Sequence, residues 1–223
     1  GDTHLSLNSN KSMEVFGVGW ENYVERLKEG FSEVREEDTV ILCGDLSWGM
    51  SLQEAEKDFA FLDHELPGEK WILKGNHDYW WGTANKMNSF FQEKGFTRLH
   101  ILHNNCALYG ETALCGTRGW FFEENGCPHR EKVFNRELIR LEASLKAAGE
   151  KQKIVFLHYP PRYKGYECPE IIELLKRYGV RQCFYGHLHG ASHGLAMEGL
   201  WDGVEFRLVS ADRLNFKPLL VLP

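Results

Sequence analysis

The sequence has no apolar run approaching the roughly 18 residues that cross a bilayer as a helix, and its first residues carry no basic-then-apolar leader pattern. A membrane-spanning reading is set aside, and a cytoplasmic location is the expectation. Paired cysteine motifs are missing too: the six cysteines, at 43, 106, 115, 127, 168 and 183, include no Cys-x-x-Cys, and several lie inside apolar runs. They read as buried, reduced thiols. Positive charge is short as well, with 26 Lys and Arg against 32 Asp and Glu for a formal net charge of -6. An extended phosphate backbone would meet net repulsion, which disfavours long nucleic acid as a partner. No internal repeat, linker or low-complexity segment breaks the chain.

What remains is ample core material. In 223 residues, 43% are apolar and 13% aromatic, enough for one ordinary domain spanning 1–223. Trp20, Tyr23, Val24, Leu27, Phe31 and Val34 recur at helical spacing, and Thr39 to Cys43 then reads as a buried strand. Ser51 and Glu54 have capping-box spacing, placing the start of a second helix there, with Leu52, Ala55, Phe59 and Leu62 on one face. Lys70 to Lys74 reads as a strand, followed by a helix around Met87, Phe90 and Phe91 that Gly95 could end in a left-handed cap. Between about 97 and 116, short β-rich runs predict a local antiparallel stretch. A charged amphipathic helix over 130–149, a strand over 153–157, a helix over 169–178 and a strand over 182–185 follow. Strands at 204–209 and 219–222 close the chain. Strand–helix alternation with a β-rich insert and tail predicts an α/β sandwich of two sheets with helices outside.

Five polar clusters fall where strands are predicted to stop: Asp2-Thr3-His4, Gly44-Asp45, Gly75-Asn76-His77-Asp78, His158, and Gly186-His187-Leu188-His189. In α/β sheets the carboxyl ends of the strands share one edge, where ligand sites are built. Carboxylates, imidazoles and one amide, with no thiolate among them, suit Mn, Fe or Zn. Asp45, following a glycine that lets the backbone bend, could bridge two cations about 3.5–4 Å apart. Two divalent cations against the carboxylates of Asp2 and Asp45 would leave surplus positive charge to attract a phosphate. Coordinated water would then ionise near neutral pH and could attack phosphorus in line with the leaving oxygen.

Each residue also has a plainer reading. A lone histidine after a strand is more often hydrogen-bonded structure than a ligand, and that reading stands for His64, His100, His103, His129 and His193. Asp45 alone could cap a turn; two imidazoles two residues apart, His187 and His189, are harder to explain that way. Trp48, Trp80, Trp81 and Trp120 sit beside these loops, where packing accounts for most of them, although one could stack on a base. Arg118, in the Gly-flanked run Gly116 to Trp120, could clamp a phosphate bidentately or simply make a surface ion pair.

The ordered set Asp-x-His, Gly-Asp, Gly-Asn-His-Asp, His, Gly-His-x-His resembles the calcineurin-like metallophosphoesterase superfamily across nearly the whole chain, as a small single-domain member of bacterial type. The resemblance implies a four-layer αββα sandwich of two mixed β-sheets flanked by helices. It implies two divalent metal ions, one held by Asp2, His4, Asp45 and His189 and the other by Asp45, Asn76, His158 and His187. It also implies that His77 stabilises the transferring phosphoryl group or protonates the leaving alkoxide, with Asp78 behind it. The implied activity is hydrolysis of a phosphate mono- or diester by a metal-bridging hydroxide.

Superfamily members act on phosphoproteins, cyclic nucleotides, nucleotides, phospholipid precursors or nucleic acid, so the substrate is not named by the fold. The protein-phosphatase branch carries Gly-Asp-x-x-Asp-Arg-Gly, whereas Leu46-Ser47-Trp48-Gly49 follows Asp45 here. That disfavours a protein phosphatase and leaves Arg118 as the candidate substrate clamp. A small phosphorylated substrate, such as a phosphodiester or nucleotide, is the expected partner. The competing readings are a fold relative that binds or scaffolds without catalysis, against which the retained His77 argues, and, last, a nuclease. By the resemblance a strand upstream of residue 1 should deliver Asp2 and His4 to the sheet edge.

Overall fold

Three helix-to-strand passages build the first sheet. The computed structural model describes residues 1–9, 11–120, 128–163 and 165–223. Helix α1 (Tyr23–Gly30) leads to β1 (Thr39–Leu42), α2 (Glu56–Ala60) to β2 (Glu69–Ile72), and α3 (Ala84–Lys94) to β3 (Leu99–Ile101). The three strands pair in parallel in the order β1-β2-β3. Local chemistry sets several boundaries. The Thr83 hydroxyl accepts from Lys86 N at the start of α3, and Gly95, at φ 73°, ends it in the left-handed conformation that glycine adopts without strain. The Ser51–Glu54 pair does cap, with Ser51 Oγ accepting from Glu54 N at 3.2 Å and the Glu54 carboxylate from Met50 N at 2.9 Å. It caps a turn, however, and the regular helix begins at Glu56.

The second sheet takes β4 (Cys106–Tyr109), β5 (Thr112–Thr117), β6 (Gln152–Leu157), β9 (Gln182–Tyr185), β10 (Gly199–Trp201) and β11 (Val204–Leu208). A two-residue hairpin, β7 (Arg162–Tyr163) and β8 (Tyr166–Glu167), stands apart from both sheets. Helix α4 (Pro128–Ala147) connects β5 to β6, and α5 (Pro169–Arg177) leads to β9. The order is β10-β11-β9-β6-β5-β4, parallel at the centre and antiparallel at both edges.

The apolar residues fall into three clusters that define the layers. Leu42, Ile72 and Ile101 of the first sheet pack on Leu27, Phe59 and Met87 of its helices. Val155, Leu157, Cys183 and Tyr185 of the second sheet pack on Leu141, Leu145, Ile171 and Leu175 of α4 and α5. The alternate residues Ile154, Phe156 and Phe184 meet Ile41 and Trp71 between the sheets. The period-2 alternation of β6 thus buries both of its faces, as a central strand requires. This is a mixed α/β fold of two sheets with helices outside.

Two sequence expectations are corrected. The 97–116 region is not one antiparallel unit: β4 and β5 form a hairpin, but β3 joins the other sheet in parallel beside β2. Residues 219–222 form no strand, although Leu219, Val221 and Leu222 do pack between the sheets. Of the cysteines, 43, 115, 168 and 183 are buried and 106 is partly so, all as free thiols, while Cys127 lies outside the described residues. Among the described residues no helix is long and apolar enough to cross a membrane.

The first five residues link the sheets. Asp2 N donates to Gly44 O at 2.7 Å, His4 N to Asp45 O at 3.0 Å and Leu5 N to Leu46 O at 2.8 Å; on the other side, Ala211 N donates to Gly1 O at 3.0 Å. Behind Gly1 runs a slot of about 560 Å³ lined by residues that include Val40, Ile41, Leu114, Phe156, Leu219 and Val221.

Candidate metal centre

The loops that leave β1, β2, β6 and β9 end at one rim, and residues 1–5 lie across it. Seven side chains meet there. His4 Nε2 is 3.2 Å from His189 Nε2, and His189 Nε2 is 3.5 Å from Asp2 Oδ1. Asn76 Oδ1 lies 2.7 Å from His158 Nε2 and 2.8 Å from His187 Nδ1. Asp45 touches both groups through a single oxygen, with Oδ2 at 3.8 Å from His4 Nε2 and 3.6 Å from His158 Nε2. Asp2, His4, Asp45 and His158 are at most 2% exposed.

Burial dominates the electrostatics. It lowers His4 and His158 to about 3, so both rings are neutral and offer lone pairs. Burial, with the charges of Asp78 and Asp2, pushes the Asp45 carboxyl up to about 9. Asp2 goes the other way: burial would raise it, but His189 and His158 hold it well below the usual carboxylate range. Burial likewise opposes the charged form of His189, yet Asp2 and Asp212 raise it to about 10.

A frame of groups outside the seven aims them. The Asp78 carboxylate, 1% exposed, accepts from Gly75 N at 2.7 Å, Leu46 N at 2.8 Å, Asp45 N at 2.9 Å and Trp80 Nε1 at 3.1 Å. It therefore staples the second loop to the first. His158 Nδ1 bonds Cys43 O at 2.9 Å, and His189 Nδ1 bonds Asp212 Oδ1 at 3.0 Å, in each case leaving Nε2 for the rim. Sequence reasoning missed Asp212. It lies past the mostly apolar Val209-Ser210-Ala211 segment that follows β11, so no polar cluster at the strand end marks it.

The motif glycines have a packing cause. A Cβ on Gly75 would lie 2.0 Å from Asp45 Oδ1, and one on Gly186 would lie 2.2 Å from Asp2 Oδ2. Four of the seven residues, Asp2, His4, Asp45 and His187, hold positive φ of 63°, 45°, 51° and 75°. Non-glycine residues take that conformation uncommonly, Asp and His more readily than most.

The donor set fits a divalent cation. Two triads, Asp2–His4–His189 and Asp2–Asp45–His158, each present ligand atoms within 4.8 Å of one another. Nitrogen and oxygen lone pairs converge with two buried carboxylates, an arrangement that a cation between them would relieve. The family model for calcineurin-like phosphoesterases matches residues 1–191. The chain belongs to that family. Among curated proteins, none matches it. Two solved structures are similar at low identity. One is the protein of unknown function AQ665 from Aquifex aeolicus, with TM-score 0.48 and 13% identity over 98% of this chain and 91% of that one. The other is TT1561 from Thermus thermophilus, with TM-score 0.46 and 14% identity over 77% of this chain and 76% of that one.

In this calcineurin-like phosphoesterase the remaining candidates also find places. His77 is partly buried, its backbone N donates to Asp45 Oδ1 at 2.7 Å, and its ring lies 4.6 Å from Trp48 and 5.8 Å from His4. Burial, then His189, lowers its pKa, and its Nδ1 is buried without a hydrogen-bond partner among the described residues. Trp48 stacks on His4 at 5.0 Å, whereas Trp80 is core, edge-on to Phe59 at 4.8 Å. Arg118 turns its guanidinium to Glu137 at 3.2 Å, while its carbonyl accepts from His158 N at 3.2 Å and Tyr159 N at 2.9 Å.

Proposed function

We propose that the protein hydrolyses a small phosphate mono- or diester with two divalent cations. Asp2, His4, Asp45 and His189 hold one, and Asp45, Asn76, His158 and His187 hold the other. The observation that carries this reading is the position of Asp45 Oδ2, within 4 Å of a ring nitrogen from each group. Nitrogen and oxygen donors without thiolate favour Mn, Fe or Zn. When bound, such cations supply positive charge for the phosphate oxygens and lower the pKa of a water between them.

The residues do the rest. Asp45 keeps its orientation because His77 N and the peptide bonds around Gly75 fix one of its faces. His4 and His158 are neutral at pH 7 and need release no proton to ligate. His77, whose Nδ1 has no hydrogen-bond partner among the described residues, is the group we assign to hydrogen-bond a phosphoryl or leaving oxygen and to hold its proton. The half-buried Trp48 beside it offers a face for an apolar part of the substrate.

The test is a panel of chromogenic phosphate mono- and diesters assayed with Mn, Fe, Zn, Ni and Mg, alongside elemental analysis of the protein as isolated. Turnover with a transition metal is expected, and Asp45→Asn should lower it by on the order of 10²-fold or more. A protein loaded with two cations that turns over no ester would instead be a binding module on this fold.

A further inference from the structure

A second cavity, of about 330 Å³, carries three cations in its lining: Lys74, Arg118 and Arg140 surround one carboxylate, Glu137, with His103 and Trp81 in the wall. Its size is at the lower end of the roughly 300–1,000 Å³ of small-molecule pockets. Glu137, 1% exposed, accepts from Arg118 Nη2 at 3.2 Å and from Arg140 Nη1 at 2.5 Å, so one buried carboxylate fixes both guanidiniums. Three full positive charges against one negative leave a surplus. Lys74 has no ion pair or side-chain hydrogen bond among the described residues, and Arg118 Nε is buried without a hydrogen-bond partner. A guanidinium already held in place and a free ammonium are what a phosphate-class oxyanion pairs with.

The cavity is joined to the centre through the backbone of two of its lining residues. Lys74 precedes the donor Asn76 by two residues, a span of about 7 Å of extended chain. The Arg118 carbonyl accepts from the backbone of His158. We propose that this cavity is an oxyanion subsite that takes a second phosphate-class group of the substrate, while the scissile phosphate lies at the metal centre. The substrate class is then a compact molecule with two such groups, and this assignment rests on the phosphoesterase reading above.

Titration calorimetry of EDTA-treated protein with pyrophosphate reads the cavity apart from any cation. Wild-type protein should bind. Lys74→Met and Arg140→Met should each weaken binding by about tenfold or more, with Lys74→Arg restoring it and the melting temperatures checking the fold. No binding by wild type, or equal binding by both Met variants, overturns the subsite. In Mn-loaded enzyme, Lys74→Met should raise KM for a nucleoside bisphosphate about tenfold more than for the matching monophosphate. Equal effects on the two would mean that the cavity takes free phosphate, and would overturn the substrate assignment. Pyrophosphate binding without turnover of any ester would remove the phosphoesterase reading and leave the oxyanion subsite standing.

Discussion

Asp78 is the residue on which the geometry of the rim turns. Its two oxygens serve four N–H groups from two loops, its own and the one after β1, and each donor left unsatisfied in the interior costs about 1–3 kcal/mol. Asp78→Ala is therefore expected to destabilise the protein by several kcal/mol in urea melts and to lose metal binding with it. Asp45 behaves oppositely. Its carboxyl is pushed up to about 9 by burial and by Asp78 and Asp2, so the ionised form is disfavoured in the folded state at neutral pH. Asp45→Asn, which removes that tendency, should raise the melting temperature of the metal-free protein by about 2–4 °C per kcal/mol relieved, even as activity falls. On the proposed ligation, protonated Asp45 and His189, the latter at about 10, would both have to give up protons. Metal binding at pH 7 should release roughly two protons. Calorimetry in buffers of different ionisation enthalpy measures that number, and affinity should climb with pH up to about 9–10 for the same reason.

At the scale of elements, the strand ends meet so closely that only glycine fits at two junctions. Gly186→Ala would drive a methyl into Asp2 Oδ2, and the expected result is a folded protein with at least about 10²-fold weaker activity, checked by circular dichroism and assay together. Strand β2 carries a different cost. Lys70 is fully buried, and burial, followed by the charge of Arg98, lowers its pKa from 10.5 to about 8. Below pH 8 the ammonium is charged in both folded and unfolded chains and the penalty is fully present. It fades as pH rises from 8 to 10.5. Lys70→Met should thus be more stable than wild type at pH 7, by at most about 3 kcal/mol, less the bond lost to the Leu66 carbonyl. The advantage should vanish near pH 10.5 in melts followed across pH. Lys70 also marks a limit of sequence reading: it was legible as a strand residue, but only the fold shows that its side chain is fully enclosed. Similarly, the runs at β3 and β4 look alike as short apolar segments, and which sheet each joins depends on partners distant in the chain. Asp45, Asn76, His158, His187 and His189 stood out as candidates because each closely follows a strand and carries metal chemistry. Asp78 was marked as a partner of His77, but its bonds to the backbone of another loop, like the whole role of Asp212, lie in contacts that the sequence does not show.

For the whole molecule, cation binding at the proposed centre would couple folding to cation supply. Any ion that binds only the folded chain stabilises it by mass action, about 2.7 kcal/mol at a hundredfold excess over Kd. Thermal melts with Mn should accordingly lie above those with EDTA, and equal melting temperatures would contradict a centre built from buried donors. The two-sheet frame was readable from the alternation of strands and helices, because a central strand such as β6 buries both faces and stands out as a continuous apolar run. The frame also works against local preference at Asp2, His4, Asp45 and His187, where side chains stand on left-handed backbone at roughly 1–2 kcal/mol each. Several kcal/mol of folding free energy are thus committed to holding these four in place, whether or not a cation has arrived. A descendant released from catalysis could recover that energy through glycine or asparagine at these positions, and resistance to heat in this lineage should grow as its chemistry is lost.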